Sequence, residues 1–281
     1  QEQLEQNIAE IRKLLKPLAR DINIFRKQQV RYRDEVHRHI DALYRDIMIV
    51  LEKQLHFVGE HGLVLKTNAP VAINSRDHLY PTGTAQDNTR YPRFIKKCEE
   101  IFGENEGLAF MDLGCSGGGM VLDAILRGHL GIGLEGSDYS LIRQRAEWRL
   151  LRKNLFTCDI TKPFAVEEAE TGEIKKFDVV TAWEVLEHIS EDDLPQLFEN
   201  IKVHLKANGI FVASVACKDS IPSKYGVNMH VTIHSKDWWM DVFKQNNFEH
   251  ECGKFSLEDM ARGGINFPLV YREELVPQEN K

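Results

Sequence analysis

Residues 111–136 read MDLGCSGGGMVLDAILRGHLGIGLEG, and they hold two glycine clusters where a nucleotide-binding fold uses one. The second, Gly131-Ile-Gly133-Leu-Glu-Gly136, is letter for letter the G-x-G-x-x-G of dinucleotide sites. That motif works only where a strand ends and a helix begins, because its glycines bring helix-terminal amides against a phosphate. Here it follows the helical stretch GMVLDAILRG, so its glycines fall inside an incoming strand. The first cluster has the required context: FMD ends a strand, GCSGGG makes the turn, and MVLDAILRG opens a helix. Its one departure from an acid-x-G-x-G-x-G pattern is Ser116, a small residue that can still donate a hydrogen bond. The imperfect cluster is therefore read as the cofactor turn, and the perfect one as a buried strand packed closely against its neighbours.

Outward from this turn, strand-like apolar runs recur at LAFMDLG, HLGIGLE, NLFTCDI, FDVVTAW and GIFVASVA. Between them lie the helical stretches GMVLDAILRG, SLIRQRAEWRLLR and DDLPQLFENIKVHLK, and after them a helix, HSKDWWMDVFKQNNF, and a final strand in LVYREEL. Such alternation predicts an α/β fold, a parallel sheet with helices on both faces. Three acids then fall on three successive strand tips. Asp112 ends the first strand, where a carboxylate would repel a pyrophosphate. Glu135 ends the second, placed to accept hydrogen bonds from both hydroxyls of a ribose. Asp159 ends the third, placed to accept from an adenine amino group. Together they describe a pocket for an adenosine that carries positive charge and no phosphate, which disfavours a dehydrogenase. The competing reading for each acid is a helix N-cap or a surface ion pair.

With MDLGCSGGG, GIGLEGSD, TCDI, FDVVTAWEVLEHI and LKANGIFVASV in this order, residues 106–252 resemble the class I S-adenosylmethionine-dependent methyltransferases. The resemblance implies a Rossmann-like fold with a mostly parallel seven-stranded sheet, and S-adenosylmethionine as cofactor. It places Asp112, Gly114, Cys115, Ser116 and Gly118 on the methionine and ribose side. Glu135, with Gly136 and Ser137, would meet the ribose, and Asp159 with Ile160 the adenine. Trp183 and Glu184 would flank the cofactor near the substrate. Arg90, upstream, would pair with the cofactor's carboxylate or with a surface acid.

Methyl transfer from a sulfonium is an in-line displacement, so the enzyme must align the nucleophile and, for a hydroxyl, accept its proton. EVLEHI supplies Glu187 and His188 just after the fourth strand, in a phrase that resembles the ubiquinone-biosynthesis type of methyltransferase; the alternative is that the pair only stabilises the loop. MHVTIHSKDWW supplies His230 and His234 after the fifth strand. They stand four apart, but with no HExxH and on a stretch that does not read as helix, so no metal site is expected. Either serves as a base or substrate contact, or packs. A pocket rich in His, acids and Trp suits a carbohydrate hydroxyl, and the pairing of this stretch with DHLYPTGTAQDNTR resembles methyltransferase modules of surface-glycan synthesis. The expected acceptor is a sugar or glycan hydroxyl. A quinone, phenol or other small metabolite is the alternative, and a catalytically silent methyltransferase-like binding module the reading of another class.

The remaining sequence bounds the context. Leu4, Ile8, Ile11, Leu15, Leu18, Ile22 and Phe25 recur at alternating steps of four and three, so residues 1–60 are expected to form a helical, coiled-coil-like arm, kinked at Pro17. It would join copies of the chain, tether a neighbouring domain, or fold back as a hairpin. Residues 61–105, with Pro70, Pro81, Gly83 and Pro92, read as a lid or linker of loop and short helix, and 106–281 as the methyltransferase domain with substrate-side elements at its end. A net charge of −7 argues against a nucleic-acid partner. The absence of a long apolar run argues against a membrane span, and the charged amino end against a secretory leader. Five scattered cysteines without a CxxC pair predict reduced thiols and a cytoplasmic location. Starting at Gln1 and ending in polar VPQENK, the chain reads as a piece of a longer, modular protein.

Overall fold

The computed structural model describes residues 61–103, 107–219, 226–251, 253–260 and 265–271. These lie in one compact unit, Phe57–Lys281. The arm expected over 1–60 falls outside the described residues, as does the end of the strand expected in LVYREEL. In chain order the elements are β1 (Leu63–Thr67), α1 (Arg76–Leu79), α2 (Thr82–Gln86), α3 (Pro92–Phe102), β2 (Ala109–Leu113), α4 (Gly119–Leu126), β3 (Leu130–Glu135) and α5 (Tyr139–Arg143). There follow β4 (Leu155–Thr157), β5 (Phe164–Glu168), β6 (Phe177–Trp183), α6 (Leu194–His204), β7 (Leu205–Val215), α7 (Lys236–Gln245), β8 (Phe248–His250) and β9 (Ile265–Tyr271).

Seven strands lie side by side in the order β4-β3-β2-β6-β7-β9-β8. All the pairs from β4 to β7 are parallel, and β9 runs antiparallel to both its neighbours. Because β3 and β6 leave β2 on opposite sides, the strand order reverses there and opens a crevice at the carboxyl ends. Side chains alternate across the sheet and build a core on each face. Met111, Leu113, Val180, Phe211 and Ala213 pack with Leu197, Phe198 and Ile201 of α6 and with Trp239 and Phe243 of α7. Phe110, Val179, Ile210 and Val212 pack on the other face with Phe94, Ile95 and Cys98 of α3 and with Met120 and Ala124 of α4. Helices on both faces of a mostly parallel sheet are what the alternation predicted.

The stretch 61–105 is more ordered than loop and short helix. β1 pairs antiparallel with β5, a small sheet whose two strands, LVLKT and FAVEE, are too short and too polar to stand out as runs. α3 carries three fully buried side chains and belongs to the helical layer. Only the part from about residue 68 to 91 crosses the strand tips. GIGLEG lies in and just beyond β3, as its position required. A Cβ on Gly131 would sit 2.9 Å from the carbonyl oxygen of Val121 in α4, and one on Gly133 would sit 2.7 Å from Leu155 and 2.8 Å from the Cys115 thiol. These glycines let helix and strands approach; they do not face a phosphate. The four described cysteines carry no disulfide. Among the described residues no helix is long and apolar enough to cross a membrane.

Candidate active site

The turn after β2 begins the site. Gly114 at φ +68° and Gly118 at φ +89° take left-handed backbone, which a glycine adopts without strain. Between them Ser116 does the same at φ +47°, where a side chain is disfavoured. Its polar atoms are fully employed there. The amide donates to Glu135 Oε2 at 2.8 Å, and the hydroxyl lies 2.9 Å from the Asp87 carbonyl and 3.2 Å from that of Thr84. Arg145 donates to the same hydroxyl at 2.9 Å and to the Asp87 carbonyl. The Cys115 thiol, in contrast, is buried beneath β3, and burial raises its pKa well above the usual thiol range.

Glu135 ends β3 and is 5% exposed. Its carboxylate accepts from the backbone amides of Ser116 at 2.8 Å and Ser137 at 3.0 Å. Burial pushes its pKa up to about 7, against those two hydrogen bonds. Each carboxylate oxygen has room for a second donor, so a rigidly held Glu135 retains capacity for a pair of vicinal hydroxyls, which is the donor set a ribose presents. Asp112 faces Thr181 across the β2–β6 register, and the Thr181 hydroxyl donates to it at 2.6 Å. Asp159 is half-buried; its Oδ1 accepts from the amide and the hydroxyl of Thr161 at 3.0 and 2.6 Å, a local turn contact that is neither a helix N-cap nor an ion pair. Ile160 beside it is buried.

Trp183 and Arg90 make contacts within the protein. Trp183, the last residue of β6, alternates onto the α3 face and meets Phe94 edge to face, with ring centroids 5.1 Å apart, so it is core. Arg90 pairs with Asp123 of α4 at 2.7 Å through Nε, and the other oxygen of Asp123 takes the Tyr91 amide at 2.6 Å. That guanidinium clamps the crossing segment to α4. No sequence pattern singles out Asn88, yet its Oδ1 accepts from the Gly119 amide at 2.9 Å and caps α4, whose own N-cap residue, Gly118, has no side chain to do so.

Past β6, Glu184 takes φ +55°, and its Oε1 is buried with no hydrogen-bond partner. Glu187 is fully buried. Its Oε1 accepts from the Ala216 amide at 2.9 Å, while Oε2 has no partner. Burial pushes this carboxyl up to about 7. The Nδ1 of His188 is 2.8 Å from Oδ2 of Asp77, in α1 of the crossing segment. Burial draws its pKa down, but the hydrogen bond and charge of Asp77, with the charges of Glu187 and Glu184, outweigh it and leave it raised. His230 comes from the stretch after β7 and meets His188 edge to face at 5.0 Å. One ligand-capable atom from each of Glu187, His188 and His230 lies within 4.8 Å of the other two. His234 is elsewhere, 2.7 Å from Glu191 and stacked on Trp238 at 3.9 Å. The histidines that come together are thus His188 and His230, from two separate segments, and not the i, i+4 pair visible in the sequence.

Residues 85–262 match a family profile described as a methyltransferase domain. The ubiquinone biosynthesis O-methyltransferases of Brucella ovis and Brucella abortus are each 34% identical over 111 residues, 39% of this chain and 42% of theirs. The chain thus matches about two fifths of the length of these curated relatives. Among solved structures, the glycopeptide N-methyltransferase MtfA complexed with (S)-adenosyl-L-methionine aligns at 14% identity and TM-score 0.46, over 66% of this chain and 95% of that one. The sugar N-methyltransferase KedS8 from Streptoalloteichus sp ATCC 53650 aligns at 14% identity and TM-score 0.47, over 69% and 92%. From the profile across most of its length, its strand order and the acid at the tip of β3, the chain belongs to the class I S-adenosylmethionine-dependent methyltransferases.

Proposed function

We propose that this chain methylates a hydroxyl of a polar acceptor, with a sugar or glycan as the leading class. The observation that supports a hydroxyl acceptor is the convergence of Glu187, His188 and His230 within 4.8 Å just past β6. S-adenosylmethionine supplies an electrophilic methyl group on a sulfonium. Glu135 would hold its ribose, Asp112 the methionine side, and Asp159 with Ile160 the adenine edge. A hydroxyl acceptor must lose a proton during transfer, and the three converging groups form the proton-accepting face of the crevice. Asp77 orients His188, and the segment 68–91 acts as a lid over the strand tips.

A quinol or phenol is the second reading, favoured by the identity to ubiquinone biosynthesis O-methyltransferases. Glycan modification receives support from the polar surroundings of His230 and from the half-buried, stacked pair of His234 and Trp238. The scattered cysteines without a CxxC pair favour a cytoplasmic location, and the net charge of −7 favours a small or glycan acceptor over nucleic acid. Residues 1–60 are proposed as an oligomerisation or tethering arm.

Labelled S-adenosylmethionine offered with sugars, lipid-linked glycans, amino sugars and quinols tests the acceptor. We expect label on a sugar hydroxyl, and Glu187→Gln to lower turnover by roughly 100-fold or more while S-adenosylhomocysteine still binds. Transfer to amino groups alone would overturn the hydroxyl assignment.

A further inference from the structure

The cluster past β6 has the features of a cation site. Asp77 Oδ2 and the Lys218 carbonyl are acceptors, 2.8 and 2.7 Å from Nδ1 of His188 and Nδ1 of His230 respectively. Each Nδ1 therefore donates, which leaves Nε2 as the ring atom from which either histidine can offer a lone pair. A metal-binding histidine is commonly fixed in this way, with its other nitrogen donating to a carboxylate or a backbone carbonyl. Beside the two rings, Oε2 of fully buried Glu187 has no partner, and at the end of β6 the buried Oε1 of Glu184 has none either. Leaving a buried carboxylate oxygen bare is costly, and a cation removes that cost. The strained φ of Glu184 sets a second carboxylate at the same strand tip.

The crossing segment takes part. Asp77 orients one ring, and its neighbour Arg76 donates to the carbonyls of Asn228 and His230 at 2.6 and 3.3 Å, holding the stretch that carries the other. The 76–77 turn thus positions both imidazoles, although neither of its residues is a ligand.

We infer that Glu187, His188 and His230, with Glu184 as a further carboxylate, bind one divalent first-row cation, and that the 76–77 turn completes the site, so that cation binding and seating of the 68–91 segment are linked. Imidazole nitrogens with carboxylate oxygens are the donor set for Zn²⁺, Mn²⁺ or Fe²⁺. If the hydroxyl-acceptor reading above holds, the cation would lower the pKa of a bound hydroxyl and so supply the deprotonation; that role rests on the reading, but cation binding does not.

The test uses the full chain, stripped with a chelator and titrated with Mn²⁺ by electron paramagnetic resonance and with Zn²⁺ by calorimetry. S-adenosylhomocysteine affinity and circular dichroism are measured in parallel as reports on folding and on the methyltransferase reading. We expect one cation per chain. His230→Ala and Glu187→Gln should each weaken it at least roughly tenfold with S-adenosylhomocysteine binding retained, and Asp77→Ala by roughly 10- to 100-fold, as removal of an outer-shell partner does. In the wild type, Mn²⁺ should slow proteolysis within 68–91, and Asp77→Ala should abolish the slowing. No saturable uptake of either cation by the wild type, or uptake that His230→Ala and Glu187→Gln leave unchanged, overturns the site. Unchanged affinity in Asp77→Ala overturns the link to the crossing segment. Failure of the wild type to bind S-adenosylhomocysteine counts against the methyltransferase reading alone.

Discussion

A carboxylate buried at the tip of β3 has a measurable cost. Glu135, with its pKa raised to about 7 in the folded protein and near the usual carboxylate value when unfolded, holds its proton more tightly in the folded state. Its contribution to stability is therefore full below the unfolded pKa and is lost as pH rises through about 7. We expect the thermal midpoint of the cofactor-free protein to fall between roughly pH 5 and pH 8, with a smaller fall in Glu135→Gln. On the proposed ribose role, hydroxyls would donate to the ionised carboxylate, so S-adenosylhomocysteine affinity should rise over the same interval. Glu135→Ala should weaken that affinity by about 1 to 3 kcal/mol, measured by calorimetry. Ser116 offers a second residue-scale test. Ser116→Ala keeps the left-handed backbone strain and removes the hydroxyl that contacts Asp87 and Arg145, a loss of about 1 to 2 kcal/mol in urea unfolding. Ser116→Gly should lose about 1 kcal/mol less, because glycine takes that conformation freely.

At the scale of elements, the crossing segment and the helical layer depend on each other. Asn88 supplies the cap that Gly118 cannot, so Asn88→Ala should destabilise the protein by about 1 kcal/mol. Most of that change should appear as faster amide exchange at the amino end of α4. Phe94 of α3 lies fully buried between the edge-to-face ring of Trp183 and the stacked ring of Phe255. Phe94→Ala leaves a cavity among aromatics and should lose about 3 to 5 kcal/mol, read from denaturant midpoints at constant slope. α3 lay inside a stretch that reads as a linker because prolines and glycines surround it. Its core role rests on Phe94, Ile95 and Cys98 sharing one helical face, a pattern only one helix long.

For the whole molecule, a ligand that binds only the folded state raises stability by mass action. S-adenosylhomocysteine at a hundred times its dissociation constant should add about 2.7 kcal/mol, and NAD nothing. A thermal shift with NAD instead would return the GIGLEG cluster to the role that its letters suggest. The strand order makes the first outcome the expected one, since it places the turn of residues 114–118 at the topological switch and GIGLE inside β3.

The sequence alone determined the alternating strands and helices, the placing of one glycine cluster in a strand and the other in a βα turn, and the acids at the strand tips, because these depend on local periodicity and on position along a βα unit. It also placed Glu187 and His188 directly after β6. Only the tertiary structure decided which groups meet. Trp183 went to the core by strand alternation and Arg90 went to Asp123 by packing. His188 found His230 and Asp77 across chain separations that no local spacing records, with Asp77 in the four-residue helix α1 and His230 outside any helix or strand. Local pattern is read from neighbours along the chain, whereas a site at a strand-order reversal is assembled from loops that only the completed sheet brings together.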